Sequence, residues 1–172
     1  VAELGNYGNN YNDTASRRLV AANIARVDSI LNLRLYPYED SNDGLVAADY
    51  GKLLSVATAA EVWFASQLSH AQIVAVDDNY QHVATVLGLA ADDSFTESML
   101  RHLLPRAGTN VDIDAADMSK EKLSAISDAI QAGNNVGTIS NLRVTDAQSA
   151  DELGYLLGKA SDAHVVATGM GY

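Results

Sequence analysis

The twenty residues "AANIARVDSILNLRLYPYED", Ala21 to Asp40, decide how the chain is read. Val20, Ile24, Val27 and Leu31 recur at the spacing that lines one face of a helix, while Arg17, Arg18, Asn23, Arg26 and Asp28 fall largely off that stripe. The spacing predicts a helix opening at Thr14. Pro37 bars its continuation and disfavours helical geometry at Tyr36, and the stretch "EDSNDG" that follows reads as a turn-rich loop. Beyond it, Leu53, Ala57, Ala60, Phe64 and Leu68 predict a second helix over 45–69, rich in alanine and able to approach the first closely, with Trp63 beside the stripe. The expectation is a helix–proline turn–helix hairpin.

Ile73, Val76, Tyr80, Val83 and Leu87 continue the helical spacing towards Gly88, set off from the second helix by a bend, because a helix spanning both would be exceptionally long. Ser94 with Glu97 in "SFTE" reads as a capping box opening a short helix, with Phe95, Met99 and Leu103, that ends at Pro105. Leu123, Ile126 and Ile130 mark a fifth helix closed by Gly133, and Ser149 with Glu152 in "SADE" opens a sixth through Leu153, Leu156 and Leu157. Only "VGTISNLRV" and "AHVVATG" read as strands. No internal repeat and no low-complexity linker stand out. The predicted fold is mainly α: a helical bundle built on the hairpin, with a small mixed C-terminal part of one or two short strands. Residues 1–13, rich in Gly, Asn and Tyr without an apolar period, read as a flexible N-terminal arm ahead of a single domain over 14–172.

Composition bounds the function. With 172 residues and 48% hydrophobic content the chain is long enough for a buried core, and no apolar run approaches the roughly 20 residues of a membrane helix. A soluble protein without a membrane partner is expected. Eleven Lys and Arg against 22 Asp and Glu leave a net charge of −11, a field that repels phosphate backbones and argues against sequence-specific nucleic-acid binding. The absence of cysteine removes disulfides, thiolate catalysis and cysteine-based zinc sites. The sequence starts at Val1 rather than Met, as after removal of a leader or where earlier residues are missing.

The chemistry-bearing residues form no diagnostic frame. His70 and His82, twelve apart, would lie roughly 120° out of line on one straight helix, and His102 and His164 have no ligand spacing to anything. In "NVDIDAADMSKE", Asn110, Asp112, Asp114 and Glu121 occupy calcium-loop positions, but Ala115 stands where the sharp turn demands glycine. There is no nucleophile elbow or phosphate-binding glycine loop, and the acidic pairs Asp77/Asp78 and Asp92/Asp93 point different ways. A sequon at Asn12-Asp13-Thr14 matters only in a glycosylating pathway. No catalytic, cofactor-binding or metal-ligating residue is assigned, and the chain reads as a non-enzyme without a cofactor.

Over residues 15–68 the order of "ANIARVDSILNLRL", the break "YPYED", a short polar loop and "YGKLLSVATAAEVWFASQL" resembles the helical head-to-tail connector proteins of tailed bacteriophages. The resemblance implies a structural subunit of the virion neck, a homo-oligomeric ring with portal or tail proteins as partners. An acidic lumen would let DNA slide without gripping the wall. The arm, anchored by Tyr7 and Tyr11 and followed by the adjacent cations Arg17 and Arg18, would be the interface that clasps a neighbour. The alternative is a secreted (extracellular) or periplasmic helical ligand-binding domain with a pocket lined by Trp63, Phe64, Tyr80 and Met99.

Overall fold

The computed structural model describes residues 2–3, 14–37, 45–145 and 147–166. It forms two compact units, Val1–Leu87 and Gly88–Tyr172. Both follow one rule: a short strand, a corner, a second strand or turn, then a helix that returns the chain beside its starting strand.

In the first unit the strands are β1 (Ala2–Glu3), β2 (Ile30–Leu31), β3 (Leu33–Leu35), β4 (Ala60–Val62) and β5 (Val83–Val86), and the helices are α1 (Thr14–Ala22), α2 (Ala47–Ser55) and α3 (His70–Asp78). Every pairing is parallel. Leu33 lies opposite Ala60 and Leu35 opposite Val62, and Val62 lies opposite Val86; Ile30 bridges to Ala57. Parallel pairing forces a crossover between neighbouring strands, and α2 and α3 supply it. The inward positions stack as a dry column, since Ile30, Leu33, Leu35, Ala60 and Val62 are all fully buried, and Leu53 and Leu54 of α2 close it from the helical side.

The second unit repeats the plan with β6 (Ala90–Ala91), β7 (Val111–Asp114), β8 (Val136–Ser140), β9 (Leu142–Thr145) and β10 (Ala163–Val166), and with α4 (Glu97–Leu103), α5 (Lys120–Gln131) and α6 (Ala150–Leu157). Val111 stands opposite Val136 and Ile113 opposite Ile139, while Leu142 and Val144 of β9 face Ala163 and Val165 of β10. Side chains of one helix reach the next coil: Lys122 Nζ donates to Asp93 at 2.6 Å, Arg101 to Asp128 at 2.8 Å, and the Ser124 hydroxyl to Glu152, partners 27 to 29 residues apart. Close approach fixes Gly137, where an added Cβ would fall 2.7 Å from Asp112 Oδ1.

This architecture corrects the sequence reading. The protein is not a mainly helical bundle but a mixed α/β fold with four parallel sheets of two or three strands among the described residues. The first helix stops at Ala22, and residues leading to Pro37 pass through a 3-10 turn at Ile24–Arg26 into β2 and β3. The predicted second helix holds only over Ala47–Ser55; Ala57 and Ala60, placed on its stripe, belong to the sheet. Helix α3 ends at Asp78 and gives way to β5. The cap of α4 is Thr96, whose hydroxyl accepts from the Met99 amide, whereas the Ser94 hydroxyl donates to Asp92. A repeat is present where none was read. Ser69, Thr96, Ser119 and Ser149 each cap a helix through the residue three positions on. The expected fifth and sixth helices are where the sequence placed them, with Gly133 at φ 78° ending α5, while the expected strand "VGTISNLRV" is split at Asn141 into β8 and β9 and "AHVVATG" is strand over Ala163–Val166. Of the arm, Ala2–Glu3 pairs in parallel with Ile30–Leu31; its other residues lie outside the described ones.

Two outcomes follow from this packing. Ile113 sits on the middle strand of its sheet with 1% exposure, so Ile113→Ala should destabilise the chain by about 2–5 kcal/mol in chemical denaturation. The second concerns acid. The Ser124 hydroxyl, with the Ser149 amide and hydroxyl, holds the Glu152 carboxyl below its ordinary 4.5. A carboxylate depressed in the fold contributes fully above its unfolded value, and that contribution is lost as pH falls through the folded value. Glu152→Gln should therefore flatten the fall of melting temperature below pH 4.5; an unchanged acid limb would show that the inter-coil bond is energetically idle.

Candidate functional site

The outward faces of β3 and β4 carry the most distinctive surface of the first unit. Alternation along each strand sends Arg34 and Glu61 outward between buried neighbours, and register places them opposite one another. Arg34 Nε donates to Glu61 Oε2 at 2.8 Å, and Trp63 Nε1 donates to the same oxygen at 3.1 Å. The Arg34 guanidinium lies 5.7 Å from the centroid of the Trp63 ring, within cation–π range.

Tyr36 follows β3 as Trp63 follows β4, one coil apart, and the Trp63 amide donates to Leu35 O at 2.9 Å. Their rings lie 5.7 Å apart, and the Phe64 ring extends the row 6.3 Å beyond Trp63. Behind the row, Tyr50 of α2 is fully buried and donates its hydroxyl to Tyr36 O at 3.1 Å. Burial pushes the Tyr50 phenol well above its ordinary range, with Arg17 opposing, so it remains a neutral donor. The Arg17 guanidinium stands 5.7 Å from the Tyr36 ring; the residue is 9% exposed and its Nε has no hydrogen-bond partner among the described residues.

Phe64 is the anomaly. Its φ of 53° and ψ of 45° are left-handed, and its side chain is 52% exposed. The other described residues with positive φ are Asn32, Asp117, Asn141, Gly88 and Gly133, the types that tolerate this region. Flanking bonds fix the turn: the Leu87 amide donates to Val62 O at 2.7 Å, and the Ala65 amide donates to Leu87 O at 2.9 Å.

The ledge of Tyr36, Trp63 and Phe64 with Arg34 and Glu61 offers flat apolar faces for stacking beside a charged pair. Its Arg34 and Tyr36 belong to a cationic stretch of an acidic chain, since residues 14–37 hold Arg17, Arg18, Arg26 and Arg34 against Asp28 alone.

Other candidates fall differently. Tyr7 and Tyr11 lie outside the described residues. Arg17 and Arg18 are on α1, Arg17 buried behind Tyr36 and Arg18 partly buried. Trp63, Phe64 and Tyr80 belong to the first unit, while Met99, 2% exposed, is core to the second. His82 Nδ1 meets Ala57 O at 2.8 Å, His70 and His164 are exposed, and His102 Nδ1 lies 3.5 Å from the Ser98 hydroxyl. The supposed calcium loop begins in β7: Asp112 accepts from the Thr138 amide and Asp114 from Asn141 Nδ2 and the Ala116 amide, so both serve neighbouring coils. Among the described residues no group of three or more metal-ligating side chains converges. Arg34 and Glu61 were missed; their partnership depends on strand register, which spacing along a supposed helix does not give. No family model, curated protein or solved structure matches the chain.

Trp63 is the only tryptophan, so its emission reads the ledge directly. Glu61→Gln should shift that emission while changing stability by less than about 1 kcal/mol, because the Arg34 pair is solvent-exposed. An unaltered spectrum would mean the carboxylate does not order the indole.

Proposed function

We propose that the protein is a non-enzymatic interaction module whose parallel coils present the aromatic ledge of the first unit to a protein partner. The observation that carries this reading is Phe64. A left-handed backbone costs a residue with a Cβ roughly 1–2 kcal/mol, and a ring left half in water returns only about 1 kcal/mol of that by burial. Strain kept at a large ring that the fold leaves half in water points to a binding role. Large aromatic side chains beside an arginine are the residue types that dominate interface energies. The local excess of arginine favours an acidic partner segment.

An assembly role remains at this coarser level. The helical hairpin that carried the resemblance to phage connectors is not formed, so a neck ring, portal or tail partners and a place in the virion have no observation behind them. The alternative of a secreted binding domain loses its inter-helical pocket, because Met99 is buried in the core of the second unit.

Phe64→Asn separates function from folding. Asparagine accepts the left-handed region, and the relieved strain offsets the lost burial of half a ring, so the substitution should leave stability within about 1 kcal/mol in thermal or urea denaturation. A clear loss would show that the ring packs for the sake of the fold, and the ledge would cease to be a binding site.

A further inference from the structure

The side-chain bonds that join one coil to the next differ between the two units. In the second unit they end on carboxylates. Lys122 Nζ of α5 donates to Asp93 at 2.6 Å, Arg101 of α4 to Asp128 of α5 at 2.8 Å, and the Ser124 hydroxyl to Glu152 of α6. On the strand side the Thr138 amide donates to Asp112 at 3.1 Å, Asn141 Nδ2 to Asp114 at 2.9 Å, and the Asn141 amide to Asp162 at 2.9 Å. Together they run through the unit from the turn after β6 to the turn before β10. In the first unit the corresponding bonds end on backbone carbonyls. Gln72 Nε2 donates to Leu45 O at 2.7 Å, the Tyr50 hydroxyl donates to Tyr36 O at 3.1 Å, and His82 Nδ1 meets Ala57 O at 2.8 Å. Facing a carbonyl, that nitrogen is the donor whether the ring is neutral or charged, so acid leaves its bond in place. Glu61, which accepts from Arg34 and Trp63, belongs to an exposed pair.

We infer that the second unit is an acid-released element: uncharging the carboxylates that tie its coils together opens it under conditions in which the first unit, with the ledge, stays folded. Each of these carboxylates faces a donor that gains from its charge. Lys122 stands before Asp93, Arg101 before both Asp128 and Glu97 of its own helix, and Lys120 acts on Glu152 from α5. Asp112, Asp114 and Asp162 face amides, with the Ala116 amide also on Asp114 and the Ser161 hydroxyl on Asp162. A hydrogen bond to a charged acceptor is roughly twice as strong as one to a neutral acceptor, so protonation weakens all of these ties and leaves Lys122 and Arg101 without counter-charges. The Asn141 side chain and the Ala116 amide hold the Asp114 carboxyl below its ordinary 3.8, as Ser124 and Ser149 hold that of Glu152 below 4.5. The contribution of such a group is complete above its unfolded value and is lost as pH falls through its folded value, which places the opening below about pH 4. General repulsion in acid favours neither unit. Residues 1–87 carry four Arg, one Lys and two His, and residues 88–172 carry three Arg, three Lys and two His. The difference between the units therefore lies in what their ties end on. This inference goes beyond the ledge and does not rest on its binding role.

Acid titration of the whole chain provides the test, carried out in Glu61→Gln protein so that protonation of Glu61 does not itself disturb the indole. Trp63, the only tryptophan, lies in the first unit and reports that unit alone, whereas each unit holds three of the helices and far-UV circular dichroism reports their sum. As pH falls from 7 to about 2, roughly half of the helical signal should be lost in a first step. The Trp63 emission should move only in a second step, at least about half a pH unit lower, or stay as it was. Adding Asp114→Asn and Glu152→Gln should make the first step shallower, because fewer protons enter with it, and leave Trp63 unaffected. Should that variant be unfolded at neutral pH, Glu152→Gln alone is read in the same way. Coincident transitions, Trp63 emission that moves first, a helical signal intact throughout, or a first step of unchanged slope in the variant would each overturn the proposal. None of these signals reads binding at the ledge, so the failure of either reading leaves the other standing.

Discussion

Parallel pairing of each strand with the strand one coil onward is the constraint that the rest of either unit obeys. It fixes which residues are buried, because a side chain that points inward on one coil must rest on the side chain that points inward on the next. Leu35, Val62 and Val86 stack in this way, as do Ile113 and Ile139. It also requires a crossover between paired strands, and helices fill that requirement, α3 to α6 each opening on a Ser or Thr cap. Where the column narrows to alanine, at Ala57 and Ala60, the partners are Ile30 and Leu33, so large and small residues alternate and the coils close on one another. Stability in such a stack is a sum of neighbouring contacts, and each polar bridge between helices ties one coil to the next.

The same constraint explains why the amino-acid pattern misleads. Ile30 and Leu33 are separated by three positions because Asn32, at φ 54°, turns the corner between two short strands. Ala57 and Ala60 are separated likewise. On paper this spacing is that of a helix, and it extends the real helices α1 and α2 through strands too short to show alternation. Strands of two to five residues carry almost no period of their own. The repeat is hidden for a related reason: paired positions lie from 21 to 29 residues apart, so no fixed period brings the coils into line. What survives this blurring is local chemistry. The cap at Ser149, the glycine stop at Gly133 and the valine-rich strands β8 to β10 depend on neighbours within a few residues, and those elements were legible.

The ledge shows the same division between local and non-local information. Trp63 and Phe64 attract notice in any reading as bulky aromatics in a chain that has 6% of them. Their partners do not. Arg34 reaches Glu61 across 27 residues only because β3 and β4 are in that register, and Tyr36 meets Trp63 for the same reason. The conformation of Phe64 is hidden more deeply. Nothing in phenylalanine announces a left-handed residue, whereas Asn32, Asn141 and Gly88 announce theirs.

Charge distribution joins the fold to its surfaces. A net charge of −11 is a property of the whole, yet residues 14–37 carry four arginines, of which Arg17 stands over Tyr36 and Arg34 over Trp63. Salt screens such a field over about 10 Å at ordinary ionic strength, so the local sign governs short-range contacts while the overall sign governs long-range repulsion between copies. A surface of this kind can stay dispersed when dilute and still recognise an acidic segment on close approach. The strained turn at Phe64 adds a constraint that charge does not: Leu87 bonds the backbone on both sides of it, so the direction in which the Phe64 side chain leaves the turn is set by the fold. Pre-ordering reduces the entropy lost on association, whereas the backbone strain, common to free and bound states, is borne by folding stability. On the proposed reading, the cationic coil and the aromatic turn would act at different ranges on the same partner, charge over the Debye length and ring contact only at close approach.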